Sequence, residues 1–142
     1  MAGMSYYVAR KYAGCTFLGE SFPSIPQVGI ALFTGDPLND YTGPEVVNSN
    51  NYSRVLQYCN SSTWEWKSAS EKIIWNKGSF AFPIPTGSGW GLVTHFGVLD
   101  SITWGAGNLL YKGPLVYTRT IVAGDTFALG PHMLQITVDR DF

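Results

Sequence analysis

The sequence has little charge. Only 13% of its 142 residues are Asp, Glu, Lys or Arg, and the formal net charge is −1, whereas a soluble domain usually carries roughly 25% charged residues. The nine basic residues are scattered along the chain, so the basic patch of a nucleic-acid-binding protein is missing and we expect no nucleic-acid partner. Because 15% of the residues are aromatic, a weakly charged surface of this kind favours association. We therefore expect an oligomer or a subunit of an assembly.

Long apolar runs and cysteines are also scarce. No run of about 18 apolar residues is present, so the sequence predicts no membrane-spanning helix and no membrane partner. Residues 1–14 lack the apolar core of a signal peptide. The two cysteines, Cys15 and Cys59, are expected to be free and buried thiols, since disulfides belong mainly to secreted chains. No CxxC spacing indicates a zinc site, and we predict no cofactor.

Helical periodicity is nearly absent as well. Residues 4–13 precede Gly14 and predict one short helix. Elsewhere β-branched and aromatic runs alternate with turn residues at the short spacing of all-β domains. The predicted strands are 27–34, 52–59, 62–68, 72–76, 79–84, 90–100, 108–121, a short one in FALG, and 132–139. The fold prediction is all-β, an antiparallel, jelly-roll-like β-sandwich with a short N-terminal helix. Residues 1–26 form the helix and arm, and residues 27–142 form the sandwich domain.

The run WGLVTHFGVLD, residues 90–100, has the composition of a central strand with a histidine inside it. Simple alternation places Val93, His95, Gly97 and Leu99 on one face. A lone histidine on such a face is expected to be packed and hydrogen-bonded. The alternative is a hydrolase in which Cys59 is the nucleophile and His95 the base. No G-x-S-x-G elbow or other local catalytic signature is present, so we predict that the protein is not an enzyme.

Two further patterns leave alternatives open. The loop GDPLND carries Asp36 and Asp40, whose oxygens could bind calcium, although aspartate in such loops mainly supports turns. The abundant aromatic side chains are either anchors in a core or subunit interface, or a platform for stacking sugars. The candidate interface residues are Tyr6, Tyr7, Tyr12, Tyr41, Trp64 and Trp66. Loops 38–51 and 60–71 are expected to make contacts, because loops carry much of the function of β domains.

A series of blocks gives the chain a family resemblance. In order, they are GIALFTGDP (29–37), EVV (45–47), NYSRV (51–55), FAFPIPTGSGWGLVTHFGVLDS (80–101), GNLLYKGPL (107–115) and TIVAGDTFALGPHMLQITVD (120–139). Together they resemble the small β domain of tailed-bacteriophage virion structural proteins, of the tail-fibre or capsid-decoration kind. The resemblance covers about residues 4 to 139. It departs from the family pattern at Asn51, where glycine is usual, and at Ser53, where alanine is usual.

The resemblance implies a non-enzymatic virion protein, because no catalytic motif belongs to the family. The favoured role is a capsid cement or decoration protein that bridges capsid subunits. Its expected partners are the major capsid protein or other virion proteins, with the chain itself forming a homotrimer. The expected location is the virion, after assembly in the host cytoplasm. The alternative is a tail or baseplate fibre module that binds the host surface or glycans.

Overall fold

The structure is a computed structural model that describes residues 3–138; positions 1–2 and 139–142 of the predicted segments lie outside the described residues. A short strand and a helix come first, and nine strands follow. The elements are β1 (Gly3–Met4), α1 (Tyr6–Phe17), β2 (Gln27–Phe33), β3 (Val55–Tyr58), β4 (Trp64–Trp66), β5 (Ile73–Asn76), β6 (Phe80–Ala81), β7 (Gly91–Leu99), β8 (Leu109–Ile121), β9 (Ala128–Leu129) and β10 (Gln135–Thr137). No helix within residues 3–138 is both long and apolar enough to cross a bilayer.

The strands form three antiparallel sheets, which confirms the all-β fold class. A five-stranded sheet has the order β1-β8-β7-β2-β3, a three-stranded sheet the order β10-β5-β4, and a two-stranded sheet pairs β6 with β9. The main core joins the two larger sheets, with Ile30, Phe96 and Leu110 from one and Ile136 from the other. The arrangement is a sandwich that is not closed. Each predicted strand has a counterpart, most of them shorter, whereas β1 was not predicted.

The five-stranded sheet is covered on its other face as well. A second cluster of Ala31, Phe33, Leu99 and Leu109 packs there, with Tyr41 from the loop after β2 against it. Burial on both faces explains why β2 is an almost continuous apolar run rather than an alternating one.

The helix runs further than the sequence predicts. Residues 4–13 were expected to be helical and Gly14 to end the helix, but α1 continues to Phe17. Gly14 lies inside it and is buried, and its carbonyl accepts hydrogen bonds from the N–H groups of Leu18 and Glu20. The Gly14 carbonyl therefore accepts the hydrogen bonds that close the C-terminal end of the helix, although Gly14 itself lies one turn before that end.

An irregularity in the β7–β8 pair corrects the predicted faces of β7. Val93 pairs with Arg119 and His95 pairs with Pro114, so four residues of β8 lie opposite the single residue Thr94. Bulges of this kind shift the alternation of side chains. Val93 therefore packs in the main core, not on the face of His95 as simple alternation predicts. The irregularity begins directly after Pro114, which itself still pairs with His95.

Candidate interaction groove

An open groove lies between the five-stranded and three-stranded sheets. Its volume is about 800 Å³, within the range of roughly 300–1,000 Å³ that is typical of ligand pockets. Buried aliphatic side chains from both sheets line it, and exposed polar residues of the segment after β3 lie among its walls. The lining residues are Tyr12, Ile25, Val28, Cys59, Asn60, Ser61, Trp64, Glu65, Trp66, Ile74, Lys77, Val98, Leu110, Tyr111, Ile136 and Val138. At this groove the two sheets of the sandwich do not close on each other, and the space between them is open to solvent.

Three of the six predicted interface residues meet at this groove. Trp64 and Trp66 alternate with Glu65 along β4, so both indole rings belong to the same face of the strand. Tyr12 comes from α1, and its ring contacts Phe22 edge-on at a centroid distance of 5.7 Å. Trp66 is 56% exposed and Tyr12 is 57% exposed. The groove therefore presents aromatic surface to solvent.

The other three predicted interface residues lie elsewhere. Tyr6 is exposed on α1. Tyr7 packs against the main core, with the Lys11 ammonium 5.6 Å from its ring centroid. Tyr41 belongs to the loop after β2 and packs edge-on against Phe33. None of these three lines the groove, so the aromatic residues do not form one continuous surface.

Two of the groove residues that were not predicted as interface residues, Cys59 and Tyr111, carry side chains with shifted pKa values. Cys59 follows β3, and desolvation raises the pKa of its thiol. Tyr111 is in β8, and burial likewise raises the pKa of its phenol. Both cysteines are free, as predicted, but the expectation that they are buried is wrong, because both are exposed. Nothing in the local sequence marks these positions, because the groove is defined by how the two sheets face each other.

The acidic residue of EVV and the arginine of NYSRV form a buried ion pair. Arg54 donates from Nε to Glu45 Oε2 at 2.9 Å and from Nη2 to Oε1 at 2.8 Å. Its Nη1 donates to the carbonyls of Ser101 and Ala106, at 2.8 and 2.9 Å. The pair thereby ties the loop after β2 to the loop between β7 and β8.

Two tyrosine hydroxyls complete this network. Tyr52 donates to Glu45 Oε2 at 2.7 Å and accepts from the Leu32 N–H at 3.0 Å. Tyr41 donates to the other carboxylate oxygen and accepts from Arg54. Burial, helped by the adjacent carboxylate, raises the pKa of both phenols. Burial disfavours the charged guanidinium, but the bonds to Glu45 outweigh it and the pKa of Arg54 is raised. The four side chains of this network therefore bond to one another and hold the surrounding loops in place.

A second polar cluster joins three other motif blocks. Lys112 donates to Asp36 Oδ1 at 2.8 Å, and the same oxygen accepts the Leu38 N–H. Burial opposes the charge on Asp36, but the bond to Lys112 prevails and lowers its pKa. His95 is half-buried, with Nδ1 2.8 Å from the Thr94 hydroxyl. Burial lowers the pKa of His95, which favours the neutral ring.

The outer face of the three-stranded sheet carries another closed cluster. Glu65 Oε1 accepts from Trp75 Nε1 at 3.2 Å and lies 3.1 Å from His132 Nε2. The His132 ring stacks on Trp75 at 4.1 Å between centroids. Because the histidine covers one face of the indole, this site offers less stacking surface than the groove does.

The structure separates the residues of the hydrolase hypothesis. The Cys59 N–H bonds to the carbonyl of Pro26, whereas His95 pairs with Phe33 at the far end of β2. Seven residues of extended chain between these anchor points correspond to about 20 Å. Cys59 and His95 therefore do not form a nucleophile–base pair. Within residues 3–138, no group of three or more His, Cys, Asp or Glu side chains is placed to hold a metal ion. In the loop considered for calcium, Asp36 accepts from Lys112 and Asp40 accepts from the Thr42 hydroxyl.

The fold and these networks describe a small antiparallel β domain whose motif residues hold its loops and sheets in place. Residues 3–137 match the protein family described as podophage GP4 fiber I protein gp80. The chain belongs to this family and is a structural component of the phage virion. Among curated proteins, no relative matches it.

Proposed function

We propose that this protein is a non-enzymatic structural subunit of a phage tail fibre. The match to a fibre protein family over residues 3–137 carries the proposal. The motif blocks that the chain shares with phage virion domains support it. Their polar residues, Glu45, Arg54, Asp36 and Lys112, bond to one another and hold loops in place. These bonds stabilise the folded domain, as a structural subunit of an assembled particle requires.

A fibre role is now favoured over the capsid-cement role that the sequence alone suggested. Both are structural and both need extensive contact surface, so the fold does not separate them. The family description names a fibre protein, and that description favours a location in the tail over a location on the capsid. The expected place of assembly is the host cytoplasm, where the subunit would join other virion proteins.

Particles that lack this protein provide the test. We expect intact heads, loss of one set of fibres in cryo-electron micrographs, and a large loss of adsorption to host cells. The thermal stability of the capsid, followed by release of DNA on heating, should be unchanged. Fragile heads with normal adsorption would overturn the fibre proposal and support the cement role.

The non-enzymatic part of the proposal is tested separately with His95→Ala. If the histidine is only packed, phage carrying this substitution should adsorb and infect normally as long as the protein folds. A folded His95→Ala protein that assembles into particles but cannot support infection would contradict it. Circular dichroism of the purified variant checks the fold.

A further inference from the structure

Strand β8 carries an exposed apolar projection. The four residues Leu115–Thr118, here called the β8 arch, lie opposite the single residue Thr94 of β7 and so bow out of the ladder. Val116 and Tyr117 at its centre are 82% and 80% exposed. Adjacent apolar side chains exposed to this degree are candidates for a contact surface.

The groove between the sheets is the apolar counterpart of this projection. Trp66 and Tyr12 expose more than half of their surface there, and aliphatic side chains such as Val28 and Ile136 lie behind them. Its volume of about 800 Å³ is ample for one aliphatic and one aromatic side chain. A tyrosine suits such a site, because its ring fills apolar space while the hydroxyl reaches a polar rim.

The arch of a chain cannot reach the groove of the same chain. Leu110, near the start of β8, lines the groove, and Tyr117 comes seven residues later on the same strand. An extended strand rises about 3.3 Å per residue, so the two sites are on the order of 20 Å apart. Both belong to one hydrogen-bonded sheet that holds this separation.

We propose that the groove of one copy receives the β8 arch of a second copy. The charges do not oppose this pairing. Arg119 follows the arch, and its ion pair with Asp125 is long, 3.7 Å, with the arginine side chain 45% exposed. The groove lining contains one acidic and one basic residue, Glu65 and Lys77, and the Glu65 carboxylate is bonded to Trp75 and His132, so the groove carries no strong charge of either sign. With a net charge of −1 per chain, repulsion between copies is weak.

Pairing of an arch with a groove is head-to-tail, because the two contact surfaces are different. Such contacts close into a ring or extend into a filament, depending on the rotation between successive copies. A rotation of one third of a turn gives the homotrimer expected from the sequence. The inference goes beyond the proposed function and holds equally for a fibre and for a capsid subunit. Self-association of the purified chain is therefore tested independently of its place in the virion.

Complementation between two variants is the sharpest experiment. The double variant Val116→Ser/Tyr117→Ser removes the arch and keeps the groove, whereas Trp66→Glu puts a charge into the groove and keeps the arch. In analytical ultracentrifugation we expect each variant alone to sediment as a 15.6 kDa monomer and the wild type as a multiple of that mass. An equimolar mixture should form a heterodimer of about 31 kDa, twice 15.6 kDa, because one intact contact remains. Ile84→Ser, at a 55% exposed position outside both surfaces, is the matched control and should behave as wild type.

A thiol probe supplies a second measurement that does not rely on the groove variant. In a Cys15→Ser background, Cys59 is the only cysteine and lies in the groove. Its modification should be several-fold slower in the assembled protein than in the arch variant. In the reciprocal Cys59→Ser background, we expect the exposed Cys15 to react at the same rate with and without the arch substitutions.

Three results would overturn the proposal. One is a wild-type chain that stays monomeric at every accessible concentration. Another is a mixture of the two variants that fails to associate although both are folded by circular dichroism. The third is a monomer that binds a saccharide on a glycan array and loses that binding in Trp66→Glu, since the groove would then serve a ligand.

Discussion

Arg54 and Glu45 face each other through two parallel hydrogen bonds, 2.9 and 2.8 Å long, with side chains that are 0% and 2% exposed. The two residues come from different motif blocks, EVV and NYSRV, within the one connection between β2 and β3. Their pairing draws the segment after β2 and the segment before β3 together over one face of the sheet. A charge pair this deeply buried is costly to break, because the remaining charge has no water to solvate it.

Replacing Arg54 by methionine is therefore expected to lower the free energy of unfolding by about 3–5 kcal/mol. The aliphatic part of the side chain is kept, so the loss reports the stranded Glu45 carboxylate. Urea denaturation followed by circular dichroism measures it. The control is Arg119→Met, which removes an exposed pair of 3.7 Å and should cost less than about 1 kcal/mol. Equal losses of unfolding free energy in the two variants would show that the buried ion pair stabilises the fold no more than the exposed pair does.

Acidification is expected to destabilise the fold through His95. Burial lowers the pKa of this histidine below its ordinary value of 6.5, so the unfolded chain takes up a proton at a higher pH than the folded chain does. The free energy of unfolding should therefore be fully maintained above pH 6.5 and should decline as the pH falls below it.

The variant His95→Gln isolates this effect. Denaturant titrations at a series of pH values should show that the decline just below pH 6.5 is reduced in His95→Gln. A separate decline should remain below pH 3.8, because the pKa of Asp36 is lowered in the folded state and its bond to Lys112 is lost on protonation. An unchanged profile near pH 6 in His95→Gln would contradict the assignment.

Elements with a strong local pattern were predictable from the sequence. The apolar run of β2 and the central strand β7 were both placed correctly, since their β-branched and aromatic residues end at clear turn residues. β1 was missed because two residues carry no periodicity. The helix boundary was wrong because Gly14, read as a terminator, is buried inside α1.

The candidate groove was only partly predictable. Aromatic composition drew attention to Tyr12, Trp64 and Trp66, but the groove also needs Val28 and Ile136, which lie far apart in the sequence. Their meeting depends on how one sheet lies over the other. The β8 arch was not predictable from the sequence either. Pro114 indicates an interruption of the strand, but it does not indicate that four residues of β8 would lie opposite the single residue Thr94.

Gly97 in the VTHFG block is expected to tolerate no side chain. It faces the second cluster, where a Cβ atom would lie 2.7 Å from Phe33 Cε1 and 3.1 Å from Leu109 Cδ1. Gly97→Ala should cost about 1–3 kcal/mol, the usual range for overpacking a core. Thermal unfolding measures the loss. At Gly78 a Cβ would meet nothing within 4 Å, so Gly78→Ala is the matched control. A near-neutral Gly97→Ala would mean that the Phe33 ring moves aside freely.

Asn76 at the end of β5 is expected to be needed for its amide and not for its size. It is 0% exposed, donates from Nδ2 to the carbonyls of Gly78 and Gly130 at 2.7 and 2.9 Å, and accepts the Leu134 N–H at 2.9 Å. Asn76→Ala leaves these backbone groups without partners and should lower the free energy of unfolding by about 1–3 kcal/mol or more. Alanine at the exposed Asn48 should change it by less than about 0.5 kcal/mol.

Asn76→Asp separates the hydrogen bonds from the packing. It keeps the acceptor for Leu134 but places a carboxylate against two carbonyl oxygens, so the pKa of the new acid should be raised in the folded state. The variant should be least stable at neutral pH and should regain stability, relative to the wild type at the same pH, as the pH falls through that pKa, because the protonated acid can again donate. Denaturant titrations at several pH values test this. A constant difference from the wild type at every pH would show that the donor bonds contribute little and that Asn76 acts through packing alone.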